Sequence, residues 1–203
     1  MAGTLYILSA PSGAGKTSLV TQLIETDAAL RTSISHTTRT KRNEETDGVN
    51  YHFVSIETFN DMTGKKAFLE QAEVFGNHYG TNEEWVNTQL NADTDVILEI
   101  DWQGARQIRK RIPEAIFIFI LPPTTETLRK RLEARGQDNE QIINKRMAQA
   151  TEEMSHFSEY DYIVINDQFD KALSELQSIV TARRLTINKQ QKSQALLLKE
   201  LIR

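Results

Sequence analysis

Between an apolar run and an amphipathic stretch the chain reads Ala10-Pro11-Ser12-Gly13-Ala14-Gly15-Lys16-Thr17. This follows the pattern G-x-x-x-x-G-K-[ST], except that Ala10 stands where the first glycine is usual. The residue there needs a conformation that alanine can adopt, so the loop is expected to survive. The pattern is chemistry for polyphosphate. Backbone N–H groups turned into a concavity can cradle phosphate oxygens, and Gly13 and Gly15 leave room for that approach. The N-terminus of the following helix adds partial positive charge. Lys16 can reach the β- and γ-phosphates, and the Thr17 hydroxyl can ligate Mg²⁺. The rival is a glycine turn that only joins a strand to a helix; the Gly-Lys-Thr triplet in this context argues against it. The motif marks a nucleotide binder without naming a reaction.

More groups able to handle anions lie downstream. Arg39 and Arg42 sit three apart after a predicted strand, in Ser35-His36-Thr37-Thr38-Arg39-Thr40-Lys41-Arg42. Arginine meets phosphate with a planar, permanently charged fork, so the pair can form an anion clamp. Solvated surface arginines are the alternative. Asp101 closes the run 96–100. A carboxylate there lies at the mouth of an α/β sheet, where it can position Mg²⁺ through water, touch a substrate or simply cap the strand end. Glu99 shares its side of the strand, either facing the cleft or paired. Arg131 and Arg135 lie four apart and share one helix face. Arg146 follows in Asn144-Lys145-Arg146-Met147. A solvated face paired with Glu133 and Glu140 is the alternative for all three. His36, His52, His78 and His156 show no zinc-ligand spacing.

These residues need a frame. Apolar runs at 5–10, 96–100, 116–121 and 162–165 read as buried strands, with a further strand near 32–35. Helix-like segments separate them, the first over 16–25. Strand–helix alternation with fully apolar strands argues a parallel sheet covered on both faces. Two stretches break the rhythm. Residues 35–83 are polar, with turn signals at Asp47-Gly48 and Gly76-Asn77, and read as a small, mostly β insertion. Residues 124–157 carry two helical patterns broken at Gly136 and read as a helical excursion able to act as a lid. The tail 169–203 has no glycine or proline and looks helical.

Composition bounds the alternatives. A chain of 203 residues suits one α/β domain with inserted subdomains. With no cysteine, disulfides, thiolate zinc sites and cysteine nucleophiles are excluded. A net charge of −4 does not suggest a dedicated nucleic-acid binder. No run of 18 apolar residues offers a membrane span. The N-terminus lacks a basic segment and a cleavage site, so a cytoplasmic address is the default expectation.

Taken in order, several segments carry a resemblance. They are S-x-T-T-R-x-x-R at 35–42, Asp47-Gly48-Val49-Asn50-Tyr51-His52-Phe53-Val54, Phe68-Leu69-Glu70, Tyr79-Gly80-Thr81, Ile97-Leu98-Glu99-Ile100-Asp101-Trp102-Gln103-Gly104 and Ile165-Asn166-Asp167. With the phosphate loop, this set resembles guanylate kinase of the bacterial type over nearly the whole chain. The resemblance implies a P-loop NTPase fold: a parallel five-stranded core sheet flanked by helices, a small mixed-β GMP-binding insertion and a helical lid. It divides the chain into a core (1–34, 84–123 and 158–203), a GMP-binding subdomain (35–83) and a lid (124–157). It implies that ATP and GMP are the substrates, with Mg²⁺ as cofactor, and no nucleic-acid or membrane partner.

The resemblance also assigns residues. Arg39, Arg42, Tyr51 and Tyr79 would hold the GMP phosphate. Ser35, Glu70 and Thr81 would read guanine, with Asp101 assisting. Residues Ala10, Pro11, Ser12, Gly13, Ala14, Gly15, Lys16 and Thr17 would hold ATP, with Arg131, Asn166 and Asp167 beside adenine. Arg135 and Arg146 would reach the phosphates on closure, next to Lys16. The guanine set makes chemical sense: guanine offers N1–H and N2–H₂ donors to one carboxylate, whereas adenine offers an acceptor at N1. Packing at a sheet edge is the alternative for Tyr51 and Tyr79, and an ordinary turn for Asn166 and Asp167. His78 and Glu99 depart from the residues usual in relatives. Deoxy-GMP is expected to be accepted, because nothing reads as a ribose 2′-OH sensor. A catalytically silent scaffold module, a ribosyl-phosphate kinase and an ATPase without acceptor are the rivals. Self-association through the tail is open.

Overall fold

The computed structural model describes residues 3–134 and 140–202. Its first half runs β1 (Leu5–Ser9), α1 (Lys16–Thr26), β2 (Leu30–Thr32), β3 (His36–Thr37), β4 (His52–Phe53), α2 (Ile56–Gly64), β5 (Phe68–Val74), β6 (Asn77–Asn82) and α3 (Glu83–Asn91). The second half runs β7 (Asp95–Glu99), α4 (Trp102–Arg111), β8 (Ile116–Leu121), α5 (Thr125–Ala134), α6 (Glu140–Ser155), β9 (Tyr162–Ile165), α7 (Phe169–Arg184), α8 (Ile187–Ser193) and α9 (Ala195–Leu201).

Five strands form one parallel sheet in the order β2-β7-β1-β8-β9. Side chains alternate across it. Tyr6 and Leu8 of β1 pack with Leu19, Leu23, Leu176 and Val180 from α1 and α7. Leu5 and Ile7 face the other way, against Val86, Leu90 and Ile108 from α3 and α4. Burial on both faces explains why the inner strands β1, β7 and β8 are largely apolar, whereas β2 at one edge carries Arg31 and Thr32, and β9 at the other leaves Tyr162, Ile163 and Ile165 exposed. Each fully buried Leu or Ile contributes roughly 1.5–3 kcal/mol, so this sheet is the rigid base of the molecule. Because β1 lies between β7 and β8, the loops leaving β1 and β7 open a crevice at the carboxyl edge, where such sheets bind ligands.

The edge strand expected near 32–35 sits earlier, at Leu30–Thr32. Leu30 is fully buried and fixes the register beside Asp95, while Ser33 N–H still donates to Ile97 O at 3.1 Å. The insertion forms a second, mixed sheet in the order β4-β3-β6-β5. It also holds a helix, α2, inside a stretch expected to be mostly β. The Ser55 hydroxyl caps α2 by accepting from Thr58 N–H, and the buried Phe59 stacks on Phe68 at 4.6 Å. The helical excursion at 124–157 becomes α5 and α6, which meet through Leu128, Leu132 and Ala150.

The helical tail is three helices. Helix α7 buries Ala172, Leu176 and Val180, and Arg184 anchors its end to Asp27 at 2.6 Å and Asp95 at 2.8 Å. Helices α8 and α9 bury nothing, and Leu196, Leu197, Leu201 and Ile202 remain exposed.

Candidate active site

The phosphate loop turns on an Ala14 N–H to Pro11 O bond of 3.1 Å. Gly15 ends it with φ of 90°, in the left-handed region where a β-carbon is strained. That β-carbon would also run into the Asn166 amide. Helix α1 therefore starts without a side-chain cap, and its first N–H groups are left for an anion. Lys16 is half-buried, and that burial lowers its pKa from the usual lysine range against the attraction of Glu99 and Asp101. Glu99 faces the loop: its Oε2 accepts from the Thr17 hydroxyl at 3.1 Å and lies 3.8 Å from Lys16 Nζ.

Behind the loop, Asn166 is buried and its amide donates to Ala14 O at 2.7 Å. Arg131 donates to Asn166 O at 2.9 Å and reaches Ala14 O at 3.5 Å. Both residues thus clamp the loop from the β9 end. Asp167 is exposed and lines a separate groove with Pro123 and Lys171.

Across the crevice stands the second cluster. Arg39 makes a two-pronged pair with Glu45, 2.6 Å from Nη2 to Oε1 and 3.0 Å from Nη1 to Oε2. Its guanidinium lies 5.4 Å over the Tyr51 ring, and Tyr51 meets Tyr79 edge-on at 5.9 Å. Burial raises the Tyr51 phenol above the ordinary range, so it stays a donor. Arg42 lies on the same loop, with its backbone N–H bound to Glu45 at 2.8 Å.

Deeper in, Glu70 is buried and accepts from the Thr81 hydroxyl at 2.6 Å. Burial pushes its pKa up to about 7; Thr81 opposes the rise and Asp101 adds to it. Helix α4 fixes this carboxylate. Gln107 exchanges hydrogen bonds with the Gln71 backbone (2.6 and 3.2 Å), and Arg111 donates to Leu69 O at 2.6 Å. Gly104 packs directly on Glu70, and a β-carbon there would collide with the carboxylate. Asp101 caps α4 by accepting from Gly104 N–H at 2.9 Å, and its other oxygen accepts from Gln103 at 3.0 Å. Burial raises the Asp101 pKa too. Ser35 lines the cleft and gives its carbonyl to His52 N–H.

Helix α6 forms the third wall, through Ile142, Lys145, Arg146 and Glu153. Glu153 accepts from the Ser12 N–H of the phosphate loop. Burial lifts its pKa to about 7 against that bond and Lys16. Arg135 lies outside the described residues.

One cleft of about 520 Å³ gathers Ala10, Ser12, Lys16, Ser35, Arg39, Arg42, Tyr51, Glu70, Tyr79, Asp101 and Arg146. These residues come from both sequence clusters and from α6. Sequence reasoning passed over Glu45, Lys145, Glu153 and the close packing of Gly104. For Glu45 a signal existed: a carboxylate three residues after Arg42 in an arginine-rich loop needs a partner. Glu153 gave none, since Ser12 is remote in sequence. The cleft can hold two anionic ligands end to end, one at the loop and one at the arginines. Among the described residues no three His, Cys, Asp or Glu side chains gather as a metal site. The oxygens of Thr17 and Glu99 fit a hard cation held mainly by phosphates and water, the usual habit of Mg²⁺.

Comparison with known proteins adds to this geometry. The family model described as guanylate kinase matches residues 2–183. The guanylate kinase of Alkalilimnicola ehrlichii is 54% identical over 202 residues, covering 100% of both chains. That of Saccharophagus degradans is 57% identical over 200 residues, 98% of each. Among solved structures, guanylate kinase from Anaplasma phagocytophilum superposes with a TM-score of 0.77 at 30% identity, over 91% of this chain and 88% of that one.

Proposed function

We infer the details of the reaction from two premises: the chain belongs to the guanylate kinase family, and one cleft joins its phosphate loop to an arginine–tyrosine cluster. The enzyme phosphorylates GMP to GDP with ATP. The reading offered beyond that is residue by residue.

ATP lies along the phosphate loop, with its terminal phosphates at the loop amides, Lys16 and the α1 N-terminus. GMP lies opposite, its phosphate between Arg39, Arg42, Tyr51 and Tyr79, and its base against Glu70, Thr81 and Ser35. A GMP phosphate oxygen then attacks the γ-phosphorus in line. The bond to the β–γ bridging oxygen breaks, and the products are GDP and ADP. The nucleophile is already anionic, so no general base is needed. The protein's contribution is alignment and charge stabilisation. Lys16 steadies charge on the transferring group, and Arg146 approaches from α6. Arg131 and Asn166 hold the loop in shape; the bonds of both to Ala14 support that role more than direct contact with adenine.

Thr17, with Glu99 or Asp101 through water, would hold Mg²⁺, which when bound neutralises phosphate charge. Residues 35–83 form the GMP-binding subdomain, 124–157 the lid, and the remainder the core. Deoxy-GMP is accepted, since no side chain is assigned to the 2′-OH. The net charge of −4 supports nucleotide substrates rather than nucleic acid. No helix among the described residues is long and apolar enough to cross a membrane. A cytoplasmic address fits a nucleotide kinase.

The observation that carries this reading is the shared cleft. Its test is ADP release with ATP and Mg²⁺, comparing GMP, deoxy-GMP, AMP, CMP, UMP and no acceptor. Turnover confined to the two guanine nucleotides is expected. Turnover without acceptor, or with AMP as readily, would overturn the assignment of the guanine subsite.

A further inference from the structure

The arginine that meets the acceptor phosphate does not stand alone in its loop. Arg39 has five N–H groups. Three are committed: two to Glu45, one from each Nη, and one from Nη1 to Thr40 O at 2.9 Å. Its other N–H groups are left for a ligand in the cleft that Arg39 lines together with Tyr79. Glu45 does more than pair with Arg39. Its Oε2 also takes the backbone N–H of Arg42, and its own backbone carbonyl takes Lys41 Nζ at 3.1 Å. One carboxylate therefore sets the plane of the first arginine and the backbone path that leads to the second.

We propose that Glu45 is the positioning residue of the acceptor clamp, holding Arg39 edge-on to the cleft and pinning the turn that brings Arg42 to the same phosphate. The proposal rests on the reading of this cluster as the GMP phosphate site. A different role would be that of a stand-in anion, a carboxylate occupying Arg39 until phosphate displaces it. Two observations oppose that role. The Glu45 side chain is only 15% exposed, and its oxygens are shared with a backbone amide that a ligand cannot replace. Displacement would strip both Arg39 bonds from a half-buried carboxylate and leave it the Arg42 N–H alone, a loss that opposes the gain of a new arginine–phosphate bond. Arg39, hydrogen-bonding its carboxylate, also holds Glu45 below the usual carboxylate range, as expected of a permanent partner.

The test separates phosphate recognition from everything else by comparing GMP with guanosine. Dissociation constants for both would be measured by titration on the wild type, Glu45→Gln and Glu45→Asp, with the KM for ATP alongside. In the wild type GMP binds more tightly than guanosine by the increment that the phosphate contributes. Glu45→Gln turns an amide NH₂ toward guanidinium donors, and that increment is expected to shrink by about 10- to 100-fold. Guanosine binding and ATP KM should stay within about twofold, since neither ligand reaches the clamp. Glu45→Asp keeps the charge on a shorter arm and should recover part of the loss. An unchanged increment in Glu45→Gln would overturn the proposal. Tighter GMP binding would overturn it in favour of the stand-in anion. An equal loss for guanosine and GMP also leaves the increment unchanged and overturns the proposal, since Glu45 would then support the fold of the subdomain and not the clamp. A wild type that binds GMP no better than guanosine would instead remove the reading of the phosphate site itself.

Discussion

In the proposed guanine subsite Glu70 has to be ionised to accept from the base, yet it sits where ionisation is discouraged. It is 4% exposed and its pKa stands at about 7. GMP binding should therefore weaken as pH falls below about 7, by up to about tenfold per unit. Glu70→Gln should abolish that dependence and raise the KM for GMP by about 100-fold or more, leaving ATP nearly unchanged. The same residue affects stability with a definite sign. Its folded pKa is raised above the unfolded value of about 4.3, so the folded state holds the extra proton between the two. Stability of the ligand-free protein should fall as pH rises through that window, on the order of 3 kcal/mol in all. Glu153, raised to a similar value, acts in the same direction. Urea unfolding at pH 5 and pH 8, with and without Glu70→Gln, would measure it; equal stability of the wild type at both would contradict the argument. Lys16→Met should cut kcat by about 10²–10³-fold without unfolding the chain, as loss of one charged transition-state contact does. An unchanged kcat would remove Lys16 from the mechanism. Lys16, Thr17, Arg39 and Arg42 stood out as candidates in the sequence because the chemistry proposed for them depends on local spacing. Glu45 left a signal in its arginine-rich loop, but Glu153 left none, because only the fold brings Ser12 to it.

At the scale of elements, the proposed acceptor subsite is held by α4 as much as by its own strands. Gln107 and Arg111 fasten the β5 backbone, and Gly104 lets the helix approach until it touches Glu70. Gly104→Ala should therefore act on binding as well as stability. The added methyl displaces the carboxylate, and the KM for GMP should rise by about tenfold or more while the KM for ATP stays put. Steady-state kinetics with each substrate varied in turn would show it; a matching rise for ATP would point to general distortion of the core. This contact was invisible in the sequence, where Gly104 reads as one more residue of a motif. The strands were the most legible elements, since burial on both faces leaves unbroken apolar runs such as Ile116–Leu121. Helix α2 was hidden for the opposite reason. It is nine residues long, and its apolar positions are outnumbered by the aromatic runs on either side. The tail carried no glycine or proline to mark its breaks; the one after α7 falls where burial against the core ends, and α8 and α9 beyond it bury nothing.

At the scale of the whole molecule, the cleft brings together charges that local structure alone would keep apart. Lys16 comes from the loop after β1, Arg39 and Arg42 from the insertion, and Lys145 and Arg146 from α6, with Glu99, Asp101 and Glu153 between them. Two anionic substrates placed end to end would repel unless these cations converge on the phosphates between them. Binding of a non-hydrolysable ATP analogue and of GMP should then be synergistic. Either ligand alone at a hundredfold excess over its dissociation constant stabilises by about 2.7 kcal/mol, or roughly 5–10 °C in Tm for a chain of this size. The pair should exceed the sum of the two shifts. Arg146→Ala should keep each single shift and lose the excess, because Arg146 reaches the cleft from α6 and is expected to matter only when both phosphates are present. Thermal unfolding in the four ligand states would decide. Additive shifts in the wild type would mean that the lid does not couple the two sites, and a smaller shift for the pair would mean that the cations fail to offset the repulsion.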